Sequence, residues 1–238
     1  MKIAIIGYGK MGHIIEQTAL QRGHEIVCRI DKENLQDFDS EAFAGADVAI
    51  EFSTPGTAFD NIRRAMRRGV SVVSGTTGWT DRLPQLQQEA GQLKVGLFWT
   101  SNFSIGVNIF FEINRRLAEL MNRFGQYSPS MREVHHIHKL DAPSGTAISL
   151  ANDIIQRVDR TERWQLGTES APGCLPIEAV RDGEVPGTHE VCYDSAVDSI
   201  CIRHEAKSRE GFALGAVMAA EFIKGRQGFY SMNDLLGF

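Results

Sequence analysis

A short apolar run, Lys2-Ile3-Ala4-Ile5-Ile6, leads directly into Gly7-Tyr8-Gly9-Lys10-Met11-Gly12, and no other feature narrows the folds open to this chain so sharply. The run lacks polar alternation, the pattern of a strand covered on both faces. The hexapeptide matches G-x-G-x-x-G where that spacing has a mechanism, after a strand and before a helix-forming stretch from Ile14 to Arg22. Glycines there permit a tight turn and let the backbone approach a pyrophosphate, whose charge suits the amino terminus of the next helix. A second strand, Glu25 to Ile30, ends at Asp31, where a carboxylate can accept hydrogen bonds from ribose hydroxyls. These residues predict a Rossmann unit for a nicotinamide dinucleotide. Asp31 favours NADH by repelling a 2′-phosphate, but the adjoining Lys32 can pair with one, so NADH or NADPH stays open.

Asp47 to Phe52, Val70 to Ser74 and Lys94 to Trp99 are further apolar runs, with a helix expected around Thr57 to Arg68. Such alternation predicts right-handed βαβ units and a parallel sheet. Gly75-Thr76-Thr77-Gly78 and Thr100-Ser101-Asn102-Phe103 each follow a strand, and ligands of these sheets sit at the carboxyl ends of strands, so both loops are expected beside the cofactor. Arg63, Arg64, Arg67 and Arg68 read as a solvated helix face.

The pattern changes after about Asn102. A long helix is predicted from Ile105 to Phe124, with Ile109, Ile113, Leu117 and Leu120 at helical spacing. Met131 to His138 reads as a strand and Ala147 to Val158 as a helix, whereas Arg163 to Gly187 shows little periodicity. Strands are predicted over His189 to Tyr193 and Ser199 to Glu205, then an alanine-rich helix, Phe212 to Ile223, that returns to the first domain. The expected fold class is α/β: an amino-terminal Rossmann dinucleotide-binding domain with a second, α+β domain.

The net charge of −5 over 238 residues offers no general positive field for nucleic acid or anionic membranes. The apolar start breaks off at Gly7, too early for a signal peptide, and no stretch is long enough to cross a bilayer, so a soluble cytoplasmic protein is expected. Cys28, Cys174, Cys192 and Cys201 form no C-x-x-C pair and are predicted to be reduced, packed thiols.

Chemistry concentrates in Glu133-Val-His-His-Ile-His-Lys-Leu-Asp-Ala-Pro-Ser-Gly-Thr-Ala147. If Glu133 to Lys139 is extended, His135 and Lys139 share one face while His136 and His138 share the other. Two histidines are too few to build a metal site, so no metal is predicted. Ser144 suits an N-cap, which leaves the backbone amides of Gly145 and Thr146 free for a carboxylate. A cationic, proton-donating cluster beside an anion cradle points to an enzyme acting on a small acid. A non-catalytic dinucleotide sensor has no use for such a cluster, and an acylating semialdehyde dehydrogenase needs an activated cysteine that the sequence does not reveal.

In family order, G-Y-G-K-M-G, G-T-T-G, S-N-F-S-I-G-V-N and E-V-H-H-I-H-K-L-D-A-P-S-G-T-A resemble the 4-hydroxy-tetrahydrodipicolinate reductases, formerly dihydrodipicolinate reductases, of the diaminopimelate–lysine pathway. The last motif is the specific one. The glycine loop is one residue shorter than in longer members, and Thr100-Ser101 replaces their usual alanine or proline. The resemblance implies a dinucleotide-binding domain over 1–103 and 209–238, and a substrate-binding domain over 104–208 that builds a homotetramer. It implies that Gly7, Tyr8, Gly9, Lys10, Met11, Gly12, Asp31, Lys32, Gly75, Thr76, Thr77, Thr100, Ser101, Asn102 and Phe103 line the cofactor site. His135 resembles the family's proton donor or acceptor and Lys139 its proton donor, with His136, Gly145 and Thr146 as ligands of the substrate carboxylates.

Overall fold

The computed structural model describes residues 1–169 and 171–238, which divide into two compact units, Met1–Ile105 with Glu210–Phe238, and Gly106–Arg209. The first unit runs β1 (Lys2–Ile6), α1 (Lys10–Gln21), β2 (Glu25–Ile30), α2 (Glu41–Ala44), β3 (Val48–Glu51), α3 (Pro55–Arg67), β4 (Ser71–Ser74), α4 (Leu83–Leu93) and β5 (Gly96–Trp99). The second contains nearly all of α5 (Ile105–Met121), then β6 (Ser128–His135), α6 (Gly145–Ile155), β7 (Arg163–Leu166), β8 (Cys174–Arg181), β9 (Thr188–Asp194) and β10 (Ser199–Glu205). The chain then returns to the first unit with α7 (Glu210–Ile223), β11 (Gly228–Tyr230) and α8 (Met232–Leu236). Among the described residues, no helix is long and apolar enough to cross a membrane.

The first sheet is parallel throughout, in the order β11-β5-β4-β3-β1-β2. Alternate residues of β1 feed opposite layers: Ala4 and Ile6 pack with α3 and α4, while Ile3 and Ile5 pack with α1 and α7. That double burial explains the unbroken apolar runs. Successive connections leave β1 in opposite directions, so a crevice opens between the carboxyl ends of β1 and β3. The predicted arginine face on α3 is tied to its neighbours, with Arg63 and Arg67 near Glu89 and Arg64 on Asp39.

The second sheet is mixed, in the order β10-β9-β6-β8-β7, with β6, β8 and β7 parallel and β9 antiparallel to both its neighbours. Met131, Leu175, Ile177, Val191 and Tyr193 cover one face and pack on α5 and α6. Arg132 on the other face pairs with Glu178 at 2.8 Å.

Two expectations need correcting, the extent of one strand and the state of the cysteines, and two further features were not legible in the sequence pattern. The strand predicted to His138 ends at His135, and Lys139 N–H donates to His136 C=O at 3.1 Å, so residues 136–139 form a turn and strand parity does not govern them. Arg163 to Gly187, which lacked periodicity, holds β7 and β8; Pro176 lies where β8 pairs with β7 alone, because pairing with β6 begins at Ile177. Of the apolar row on α5, Ile109, Ile113 and Leu120 face outward at 40%, 46% and 61% exposed and Leu117 packs partly on the core, while Val107, Phe110, Asn114, Ala118 and Met121 are buried. Finally, only Cys28 and Cys174 are free and buried. Cys192 and Cys201 form a disulfide between directly opposed residues of β9 and β10, their Cα atoms 4.2 Å apart. Hairpin register creates that pair, and spacing rules for C-x-x-C do not detect it.

Candidate active site

In the first unit, the loops after β1, β3 and β4 line a cleft of about 390 Å³ that includes Gly9, Lys10, Met11, Ser53, Gly75, Thr76 and Thr77. Gly9 is the N-cap of α1 and offers no side chain to its first-turn amides, and a Cβ added there would meet nothing within 4 Å. A phosphate can therefore reach those amides, and the residues present fit a dinucleotide. Asp31 follows β2 immediately, its carboxylate accepting from Lys32 N–H at 2.8 Å, while Lys32 Nζ lies 4.0 Å from Glu33.

Glu51, at the end of β3, is an anchor that sequence reasoning missed. Although fully buried, it accepts from Ser74 Oγ at 2.6 Å, Thr76 Oγ1 at 2.9 Å and Ser53 N–H at 2.8 Å. It thus ties the two loops lining the cleft and turns the Thr76 hydroxyl inward. The Thr76 carbonyl accepts from Trp79 Nε1 and Trp99 Nε1, which fixes the loop against the two indoles. Thr100 Oγ1 donates to Asn102 C=O and accepts from Asn102 N–H, so the next loop folds on itself; Ser101 is exposed. Phe103 packs in the core against Phe52 and Phe98 and does not present its ring to the cleft.

In the second unit, the helix-covered face of β6 passes from apolar to polar along Met131, Glu133 and His135. Register sets Glu133 opposite His189 of β9 and His135 opposite Arg181 of β8, so all four meet at one end of the sheet. His135 Nδ1 lies 3.4 Å from Glu133 Oε2, and its ring meets His189 edge-on at 5.1 Å. Ser144 caps α6 as predicted, its Oγ accepting from Ala147 N–H at 3.2 Å. The cap leaves the Gly145 and Thr146 amides without an intrahelical acceptor. Ser144 N–H donates to Glu133 Oε1 at 3.0 Å, and Ser144 Oγ lies 3.1 Å from His189 Nε2. Lys139 Nζ pairs with Asp141 at 2.8 Å, and the buried Nδ1 of His136 has no protein partner.

Among the described residues, Glu133, His135 and His189 form a group close enough to hold a metal ion, a set drawn from two strands and distinct from the His136 and His138 pair. Arg181 Nη2 stands 3.2 Å from Glu133, however, and a guanidinium there opposes a second cation. Glu133 Oε1 takes the hydrogen bonds from Arg181 and Ser144, while Glu133 Oε2, His135 Nδ1 and His189 Nδ1 lie buried without a hydrogen-bond partner among the described residues. Burial would raise the Glu133 pKa, but the adjoining His135 and the hydrogen bond from Ser144 outweigh it and hold the carboxyl at about 2. Burial, then the neighbouring His135, pushes His189 down to about 4.

The His189 shift has a testable consequence. An unfolded histidine titrates near 6.5, so between that pH and about 4 the unfolded chain takes the proton first and folding stability declines as pH falls. From pH 7 to pH 5 the contribution is a loss of about 2 kcal/mol. Urea titrations should show that loss in the parent chain and a smaller one in His189→Gln; equal slopes would contradict the assignment.

Comparison with known proteins agrees across both units. Models described as dihydrodipicolinate reductase, N-terminus and C-terminus, match residues 1–103 and 106–236. The 4-hydroxy-tetrahydrodipicolinate reductase of Christiangramia forsetii is 45% identical over 236 residues, covering 99% of this chain and 98% of its own. That of Archaeoglobus fulgidus is 34% identical over 262 residues, covering 99% and 100%. The solved structure of a dipicolinate-bound dihydrodipicolinate reductase from Paenisporosarcina sp. TG-14 shares the fold, with a TM-score of 0.76 at 24% identity and 97% of each chain covered.

Proposed function

The chain belongs to the dihydrodipicolinate reductase family, and from that premise we propose how its own residues divide the reaction. Its activity is the nicotinamide-dependent reduction of 4-hydroxy-tetrahydrodipicolinate to tetrahydrodipicolinate, with loss of water, in diaminopimelate and lysine biosynthesis. When bound, the nicotinamide supplies a hydride. Residues 1–103 and 209–238 hold the dinucleotide, with Gly7 to Gly12 and α1 at its phosphates and the Gly75–Thr77 and Thr100–Phe103 loops as further walls. Residues 104–208 bind substrate. The Gly145 and Thr146 amides and the unpartnered His136 Nδ1 receive a substrate carboxylate. Lys139 offsets negative charge and donates the proton that the reduced ring requires; His135, beside Glu133, orients it or passes a proton. The observation that carries this reading is that His135 and the capped head of α6 share one buried carboxylate, Glu133.

The protein is further read as a cytoplasmic homotetramer. The exposed apolar row Ile109, Ile113 and Leu120 supports burial of this face against another copy.

The preference for NADH over NADPH is proposed on Asp31, whose carboxylate repels a 2′-phosphate. Assays of NADH and NADPH oxidation with freshly generated substrate should show turnover with both and a higher kcat/KM with NADH. Asp31→Ser should move that ratio toward NADPH by about tenfold, equivalent to about 1.4 kcal/mol. No oxidation with either nucleotide would remove the activity; an unmoved ratio in the variant would remove Asp31 from selection.

A further inference from the structure

We propose that Arg181, backed by Glu133, is a positioning residue that holds the proton donor Lys139 and the carboxylate cradle in one geometry. The proposal rests on the reading of Lys139 given above. Arg181 ends β8, and its guanidinium forks into the loop between β6 and α6. Nε donates to Lys139 C=O at 3.2 Å, Nη2 to Asp141 C=O and, at 3.2 Å, to Glu133 Oε1, and Nη1 to Val180 C=O at 2.8 Å. The same Glu133 oxygen accepts from Ser144 N–H at 3.0 Å. One guanidinium–carboxylate pair therefore grips the backbone on both sides of Leu140 and the head of α6.

The segment's other ties are the Ile137 N–H to Gly183 C=O bond at 3.1 Å, the exposed His138–Glu184 contact at 3.1 Å and pairings within the loop itself. Ile137 and Leu140 are 60% and 97% exposed, so their side chains give the loop no strong apolar anchor. The Glu133 carboxylate, by contrast, is 1% exposed and immobilised by its partners. Only a planar guanidinium has donors arranged to reach two carbonyls and a carboxylate together; a lysine ammonium is a point charge on a flexible stem. Displacement of a reacting group by about 1 Å can lower a rate about 100-fold, so a loosened loop should show in kcat before it shows in stability.

The test compares Arg181→Ala, Arg181→Lys and Lys139→Ala in the full chain. Folded Arg181→Ala is expected to lose about 100-fold in kcat, with a raised substrate KM, unchanged NADH affinity by fluorescence titration, and partial recovery of kcat on adding guanidinium. Arg181→Lys should stay slow. A purely structural role would lower the melting temperature yet leave kcat and KM of the folded enzyme intact. Wild-type kcat in Arg181→Ala, or a loss that guanidinium leaves unmoved, overturns the proposal. Should Arg181→Ala not fold, wild-type kcat in Arg181→Lys overturns it equally. Wild-type turnover in Lys139→Ala would instead remove the reading of Lys139, which keeps the two failures distinct.

Discussion

Lys139→Ala is expected to lower kcat by about 100- to 10,000-fold, the range that a positioned proton donor supplies, while NADH affinity stays at the parent value. The side chain is partly buried and its Nζ is held 2.8 Å from Asp141, whose carboxyl the ammonium keeps below the usual range. Lys139 is therefore paired with an exposed residue of the same loop, one that a substrate carboxylate can replace. Two effects are combined in the alanine variant, lost charge and lost proton. Lys139→Arg separates them, because a guanidinium keeps the charge but does not give up its proton at working pH. It should restore much of the substrate KM and little of kcat. Recovery of kcat in the arginine variant would mean that charge alone is required, and parent-like kcat in the alanine variant would exclude Lys139 as the acid.

What a linear reading could find here was local physics. The strand–glycine–helix sequence at residues 2–22 and the Ser144 cap each depend on neighbours within a few positions, and each stands where the pattern placed it, whereas the histidine–lysine segment leaves its strand after His135. What escaped depends on register. Arg181 and His189 sit about 50 residues beyond the segment they serve, in strands whose composition carries no sign of chemistry; only the pairing of β6 with β8 and β9 sets them beside His135 and Glu133. The Cys192–Cys201 bond has the same origin. Periodicity identified the α5 helix but not its inner face, because Phe110, Ala118 and Met121 form a second apolar row opposite Ile109 and Ile113. Glu51 reads as an ordinary charge at a strand end until the Ser74 and Thr76 hydroxyls close over it.

The three glycines of the nucleotide loop should fail in different ways when a methyl group is added, and the contrast tests the loop's function apart from its folding. Gly7 has φ of 88°, and a Cβ there would lie 2.2 Å from the Phe52 carbonyl oxygen, a backbone atom at the end of β3. Left-handed strain costs about 1–3 kcal/mol and overpacking of this kind a further 1–3 or so, large against a total stability of about 5–15 kcal/mol. Gly7→Ala should therefore melt several degrees lower and bind NADH poorly. Gly12→Ala would set a Cβ 2.5 Å from the Gly7 carbonyl oxygen and disturb the same turn from the helix side. Gly9 differs. Its φ of −87° and ψ of −157° suit alanine, and the added Cβ meets no protein atom within 4 Å. On the proposed cofactor reading the pyrophosphate approaches the amides of α1 through that open space, so Gly9→Ala should keep the parent melting temperature yet lose at least about tenfold in NADH affinity, or about 1.4 kcal/mol. Thermal melts paired with NADH fluorescence titrations separate the cases. Parent-like affinity in Gly9→Ala would mean that the phosphates do not approach there, and parent-like stability in Gly7→Ala would mean that the turn relaxes around its methyl group.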